Sequence, residues 1–143
     1  MSYQENYQKW VDFAELPDYL RQDLENMDEK TKEDAFYTNL EFGTAGMRGL
    51  IGAGTNRINI YVVRQATEGL ARLIESKGGN EKERGVAIAY DSRHFSPEFA
   101  FESAAVLAKH GIKSYVFESL RPTPELSFAV RHLNCFAGIM ITA

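Results

Sequence analysis

The chain has 143 residues, 44% of them hydrophobic and 25% charged, which suits one globular domain able to bury a real core. Lysine plus arginine number 16 against 20 aspartate plus glutamate, a formal charge of -4 without long blocks of one sign, so nothing points to nucleic acid or an anionic membrane as partner. Cys135 is the only cysteine, which excludes an internal disulfide and a disulfide-stapled scaffold. The polar stretch Met1 to Trp10 has no apolar signal-peptide core, and no apolar run approaches the ~20 residues that span a bilayer. The expected location is therefore the cytoplasm.

Residues 4–39 read as helical and polar, with Tyr7, Trp10 and Phe13/Ala14 on one face and Leu20, Leu24 and Met27 on another. Pro17 is expected to open the second segment and Thr31 to cap a short third one. From Glu41 to Ile60 the glycines Gly43, Gly46, Gly49, Gly52 and Gly54 are incompatible with a stable helix. They predict a loop and bent hairpin, with Arg57 to Ile60 returning as a strand. Val63, Ala66, Leu70 and Leu73/Ile74 then line a helix that ends near Gly78-Gly79.

Gly85 to Tyr90 is a nearly continuous apolar run, as a buried strand requires. Ser96-Pro97-Glu98 supplies a hydroxyl cap, a first-turn proline and an acid, and Phe101, Ala104, Ala105, Ala108 and Ile112 follow at helical spacing until Gly111. Ile112 to Phe117 is the next strand. Thr123-Pro124-Glu125 repeats the start device for a helix to about Asn134, and Phe136 to Thr142 is a last buried strand. Alternating strand and helix imply an α/β fold: a mixed, largely parallel sheet of about four strands covered on both faces, beside an N-terminal helical arm. Residues 1–39 form the arm and 40–143 the α/β domain. A chain ending on a buried strand with no polar tail is expected to be cut from a longer one.

Ligands of such sheets gather beyond the carboxyl ends of the strands. Asp91 to His94 and Glu118 to Pro122 occupy such places, as does whatever follows Ala143. Phe42 to Gly49 (FGTAGMRG) is dense enough in glycine for backbone amides to approach an anion, and Arg48 adds a fork that grips phosphate. A tight hairpin with Arg48 facing water fits the composition equally well, and the G-K-S/T ending of a P-loop is missing. In Asp91-Ser92-Arg93-His94, Arg93 could enter a cleft with Asp91 holding it. Taken alone, the motif is better read as a strand-to-helix turn. Arg121-Pro122-Thr123-Pro124 reads as a rigid helix entry. His94 has no legible partner carboxylate, His110 and His132 lie near helix C-termini where the dipole favours them, and Cys135 suits a small buried filler. No spacing suggests a complete metal site.

Together FGTAGMRG, AYDSRHFSPEFAFESAAVLAKHG, RPTPELSF and AGIMITA, in this order over Leu40 to Ala143, resemble the α-D-phosphohexomutases: phosphoglucomutases, phosphomannomutases and phosphopentomutase relatives. The LEFGTAGMRG form and the preceding helical arm resemble the bacterial phosphoglucomutase and phosphopentomutase branch most. The resemblance implies a four-domain enzyme of which this chain is domain I, with domains II–IV as its partners. It places the phosphorylated serine of a T-A-S-H-N-P loop just beyond Thr142-Ala143, and the Mg²⁺-binding aspartates in domain II. It implies that Arg48 contacts the transferring phosphoryl group, that Arg93 lies near the phosphoserine, and that Thr44 shares the Arg48 loop. The implied reaction interconverts glucose 1-phosphate and glucose 6-phosphate through a phosphoserine and a bisphosphate, with glucose 1,6-bisphosphate as activator. Mannose or pentose phosphates are the alternative sugar-phosphate substrates. The chain taken alone reads as a non-catalytic fragment, lacking nucleophile and metal site.

Overall fold

The computed structural model describes residues 2–43, 46–91, 95–117 and 123–141, with backbone only at 43, 123–125 and 127. The chain forms two compact units, Met1–Val62 and Val63–Ala143.

In the first unit, α1 (Tyr3–Val11), α2 (Asp18–Glu25) and α3 (Glu29–Phe36) are short helices held by one apolar cluster rather than by their own propensity. Leu16, Leu20, Leu24, Ala35, Phe36 and Ala53 are buried at its centre. Tyr7 and Trp10 each meet Phe36 in a T-shaped arrangement at centroid distances of 5.6 and 5.7 Å. Pro17 precedes α2 as expected, its fixed φ compatible with a helix start. The cap of α3 is Asp28, not Thr31: the Asp28 carboxylate accepts the Thr31 N–H at 2.8 Å, and hydrogen bonding from the Thr31 side chain first, then from this N–H, lowers the Asp28 pKa.

The glycine-rich segment forms the hairpin β1 (Phe42–Gly43) and β2 (Gly46–Met47), paired Phe42 to Met47 and Gly43 to Gly46. Arg57 to Ile60 is not a strand. Ile58 makes only an isolated bridge with Ile51, and Asn59 instead caps α4 (Ile60–Lys77), its Oδ1 accepting the N–H groups of Tyr61 and Val62. An asparagine with two amides in reach ends any strand there.

The second unit holds, among the described residues, a three-stranded parallel sheet in the order β4-β3-β5. Its strands are β3 (Val86–Tyr90), β4 (Ser114–Val116) and β5 (Ala137–Ile141), preceded by the short α5 (Glu81–Arg84) and linked by α6 (Ser96–Lys109) and α7 (Thr123–His132). Every residue of the central β3 is buried, because helices cover both faces. Val86, Ile88 and Tyr90 pack with Ala71 and Ile74 of α4 and Ala100 and Leu107 of α6, whereas Ala87 and Ala89 pack with Leu126 of α7 and Cys135. The two-residue period of the strand thus divides its side chains between two layers.

Candidate functional site

Arg48 directly follows β2 and is exposed. Phe42 and Leu50 are exposed too. The base of the hairpin is tied by main-chain bonds: Leu40 N–H to the Thr55 carbonyl at 2.8 Å, Ile58 N–H to the Leu50 carbonyl at 2.7 Å, and Gly52 N–H to the Ile58 carbonyl at 3.1 Å. Gly54 has φ +133, and a Cβ there would lie 2.6 Å from the Ala35 carbonyl, so only glycine lets the turn close on α3. The result is an exposed loop that carries Arg48 on a braced base. Thr44 lies outside the described residues.

In the second unit the strands β3 and β5 end together, Asp91 N–H bonding the Ile141 carbonyl at 3.2 Å. Asp91 then accepts the Ser96 hydroxyl at 3.0 Å. Ser96 is therefore not the cap that the S-P-E pattern predicts. It is the first residue of α6, fully buried, and its hydroxyl fastens the strand end to the helix start. Phe95 precedes it in the left-handed conformation, φ 68. The turn reading of this motif accounts for Asp91. Ser92, Arg93 and His94 lie outside the described residues, as do Glu118 to Pro122 and Thr142-Ala143.

Among the described residues no group of three His, Cys, Asp or Glu side chains could hold a metal ion. Cys135 is buried, and that burial raises its thiol pKa against the opposing pull of Arg84 and Lys113, the pattern of a packed filler rather than a nucleophile. A recess of about 320 Å³ is lined by Lys9, Trp10, Phe13, Leu16 and Tyr61, a mainly apolar and aromatic wall.

Sequence reasoning missed two polar arrangements. Thr67 of α4 donates to the Val63 carbonyl at 2.8 Å, so Ser103 of α6 must supply the proton of the buried 3.0 Å Thr67–Ser103 bond. His110, at the end of α6, is set between Glu75 and Glu68 of α4, the latter at 2.8 Å. The seven-residue spacing of the two glutamates, two turns of one helix face, was the available signal.

A family profile described as "Phosphoglucomutase/phosphomannomutase, alpha/beta/alpha domain I" matches residues 39–143. A phosphoglucomutase of Staphylococcus epidermidis is 42% identical over 135 residues, covering 94% of this chain and 24% of that protein. Phosphoglucomutases of Staphylococcus aureus and Staphylococcus haemolyticus are 47% and 45% identical over 112 residues, each covering 78% of this chain and 20% of the relative. The chain thus spans about a fifth to a quarter of the length of these relatives. No solved structure matches it. With the parallel sheet, the FGTAGMRG hairpin and a family match over most of its length, the chain belongs to the phosphoglucomutase/phosphomannomutase family, within its α/β/α domain I.

Proposed function

We propose that this chain is domain I of a phosphoglucomutase-type enzyme that interconverts glucose 1-phosphate and glucose 6-phosphate, residues 1–39 being an arm and 40–143 the domain. The match over 39–143 to this family, with relatives named phosphoglucomutase, is the observation that carries the proposal. It favours glucose over mannose or pentose phosphates. A phosphoserine following Ala143 donates its phosphoryl group to the free hydroxyl of the sugar monophosphate, leaving a serine hydroxyl, and the bisphosphate formed reorients and returns its other phosphate to that serine.

Arg48 supplies positive charge to the moving phosphoryl group, and its exposure on a braced loop suits that role. An arginine cannot serve as general base, because a guanidinium keeps its proton. Thr44 and Arg93 are the further phosphate-binding residues of the proposal. Aspartates of another domain would hold Mg²⁺, which would supply further positive charge beside the phosphoryl group, and glucose 1,6-bisphosphate is the proposed activator. The cytoplasm is the proposed location; no helix among the described residues is long and apolar enough to cross a membrane.

Arg48→Ala in the full-length enzyme tests the assignment. Turnover should fall by about a hundredfold or more. The unfolding midpoint of the 143-residue chain should barely move, because exposed substitutions stay within about 0.5 kcal/mol. Unchanged turnover would remove Arg48 from the active site.

A further inference from the structure

The hairpin that carries Arg48 has two-residue strands, too little pairing to hold a loop on its own. Its base rests on the turn at 52–58, joined to it by the bonds of Leu40 and Leu50 given above and by the Thr55 hydroxyl, which donates to the Thr38 carbonyl at 2.7 Å. That turn is gripped in turn by the N-terminal helices. Asp23 of α2 accepts the Ala53 N–H at 2.7 Å. Asn56 donates through its N–H and Nδ2 to the carbonyls of Ala35 (2.9 Å) and Asp34 (3.0 Å), and Arg57 pairs with the Asp34 carboxylate at 2.8 Å. Asn59, 2% exposed, donates to the carbonyls of Gly52 and Gly54, both at 2.9 Å.

Within this set Asp23 is the one charged acceptor placed on the turn's own backbone. Ala53 is fully buried, so its amide has no water to replace a lost partner. A Cβ on Gly52 would lie 2.7 Å from Asp23 Oδ2, so the glycine leaves the space into which the carboxylate closes. Asp23 lies before residue 39, where the family match begins.

We propose that Asp23 is a positioning residue for Arg48, fixing through the Ala53 amide the base from which the Arg48 hairpin is presented. The proposal rests on the reading of Arg48 given above. A group that stabilises a transferring phosphoryl must be held to about 0.5 Å, and a displacement of about 1 Å costs about a hundredfold in rate. A segment outside the matched domain thereby contributes to the precision of the site within it.

Two measurements on Asp23→Ala and Asp23→Asn test this. In the 143-residue chain, amide hydrogen exchange at Ala53 and across residues 46–52 should quicken by about tenfold or more in Asp23→Ala, with β3 and α6 unchanged. Asp23→Asn keeps an acceptor oxygen in the same shape, should recover most of the protection, and carries the comparison if Asp23→Ala does not fold. In the full-length enzyme, Asp23→Ala should lower kcat by about tenfold to a hundredfold with little change in KM. It should add nothing to Arg48→Ala in the double variant. Unchanged exchange over 46–52, or a double variant slower than Arg48→Ala by the full single-variant factor, overturns the proposal while leaving Arg48 in the site. If Arg48→Ala itself leaves turnover intact although Asp23→Ala frees the hairpin, the assignment of Arg48 has failed and the proposal falls with it.

Discussion

At the scale of single residues, His110 is the clearest titrating group. Both ring nitrogens face carboxylates, and only the protonated imidazolium can donate to both. Hydrogen bonds to Glu68 and then Glu75 raise the His110 pKa above its usual value of about 6.5, outweighing the opposing effect of burial. The bond from His110 likewise lowers the Glu68 pKa, with help from Arg72. A raised histidine contributes stability that is full below about pH 6.5 and is lost as pH rises through the folded value. The lowered glutamate contributes above about pH 4.3 and loses its share as pH falls through its folded value. The pair should therefore stabilise the chain most between about pH 4.5 and 6.5. Thermal unfolding of the parent and His110→Gln across pH should show the largest gap in melting temperature there, closing at alkaline pH. A gap independent of pH would refute this account.

At the scale of elements, two glycines make opposite predictions. Gly69 lies in the exposed interior of α4, and a Cβ there meets nothing within 4 Å, so Gly69→Ala should stabilise the chain by about 0.5–1 kcal/mol through helix propensity. Gly85 joins α5 to β3 at φ 79, ψ -168, where side chains are strained, and a Cβ would lie 2.4 Å from the Lys113 carbonyl. Gly85→Ala should therefore cost about 1–3 kcal/mol or more. Denaturant titration of both variants checks the two signs; equal effects would mean that local geometry does not govern these positions.

The elements themselves were largely legible. The apolar run Gly85 to Tyr90 became β3, and Lys77 and Lys109 end α4 and α6 just before glycines. Which face each helix buries was less legible. In α6 the buried residues are Ser96, Phe99, Ala100, Ser103, Val106 and Leu107, while Phe101, which shares its helical spacing with Ala104, Ala105 and Ala108, is 59% exposed. That helix is apolar nearly all round, so its sequence has too little contrast to orient it. In α4 the buried stripe runs through Val63, Thr67, Ala71 and Ile74, leaving Leu73 out, because Thr67 satisfies its hydroxyl internally.

At the scale of the whole molecule, catalysis is expected to need more chain than is present. A mutase assay with glucose 1-phosphate, Mg²⁺ and a trace of glucose 1,6-bisphosphate should register activity in the full-length enzyme and none in the 143 residues alone. Activity in the short chain would mean that the nucleophile lies within it.

The sequence by itself determined the α/β class, the hairpin and the family, because glycine density, helix stops and buried strands are local properties read along the chain. The candidate residue Arg48 was legible for the same reason, lying inside a contiguous motif. Tertiary structure alone decided the long-range partners: Asp23 and Ala53 are 30 residues apart, and His110 meets Glu68 across 42. Such partners lie outside any contiguous motif. They are chosen when burial removes water from a polar group and leaves it to the nearest side chain that folding brings alongside.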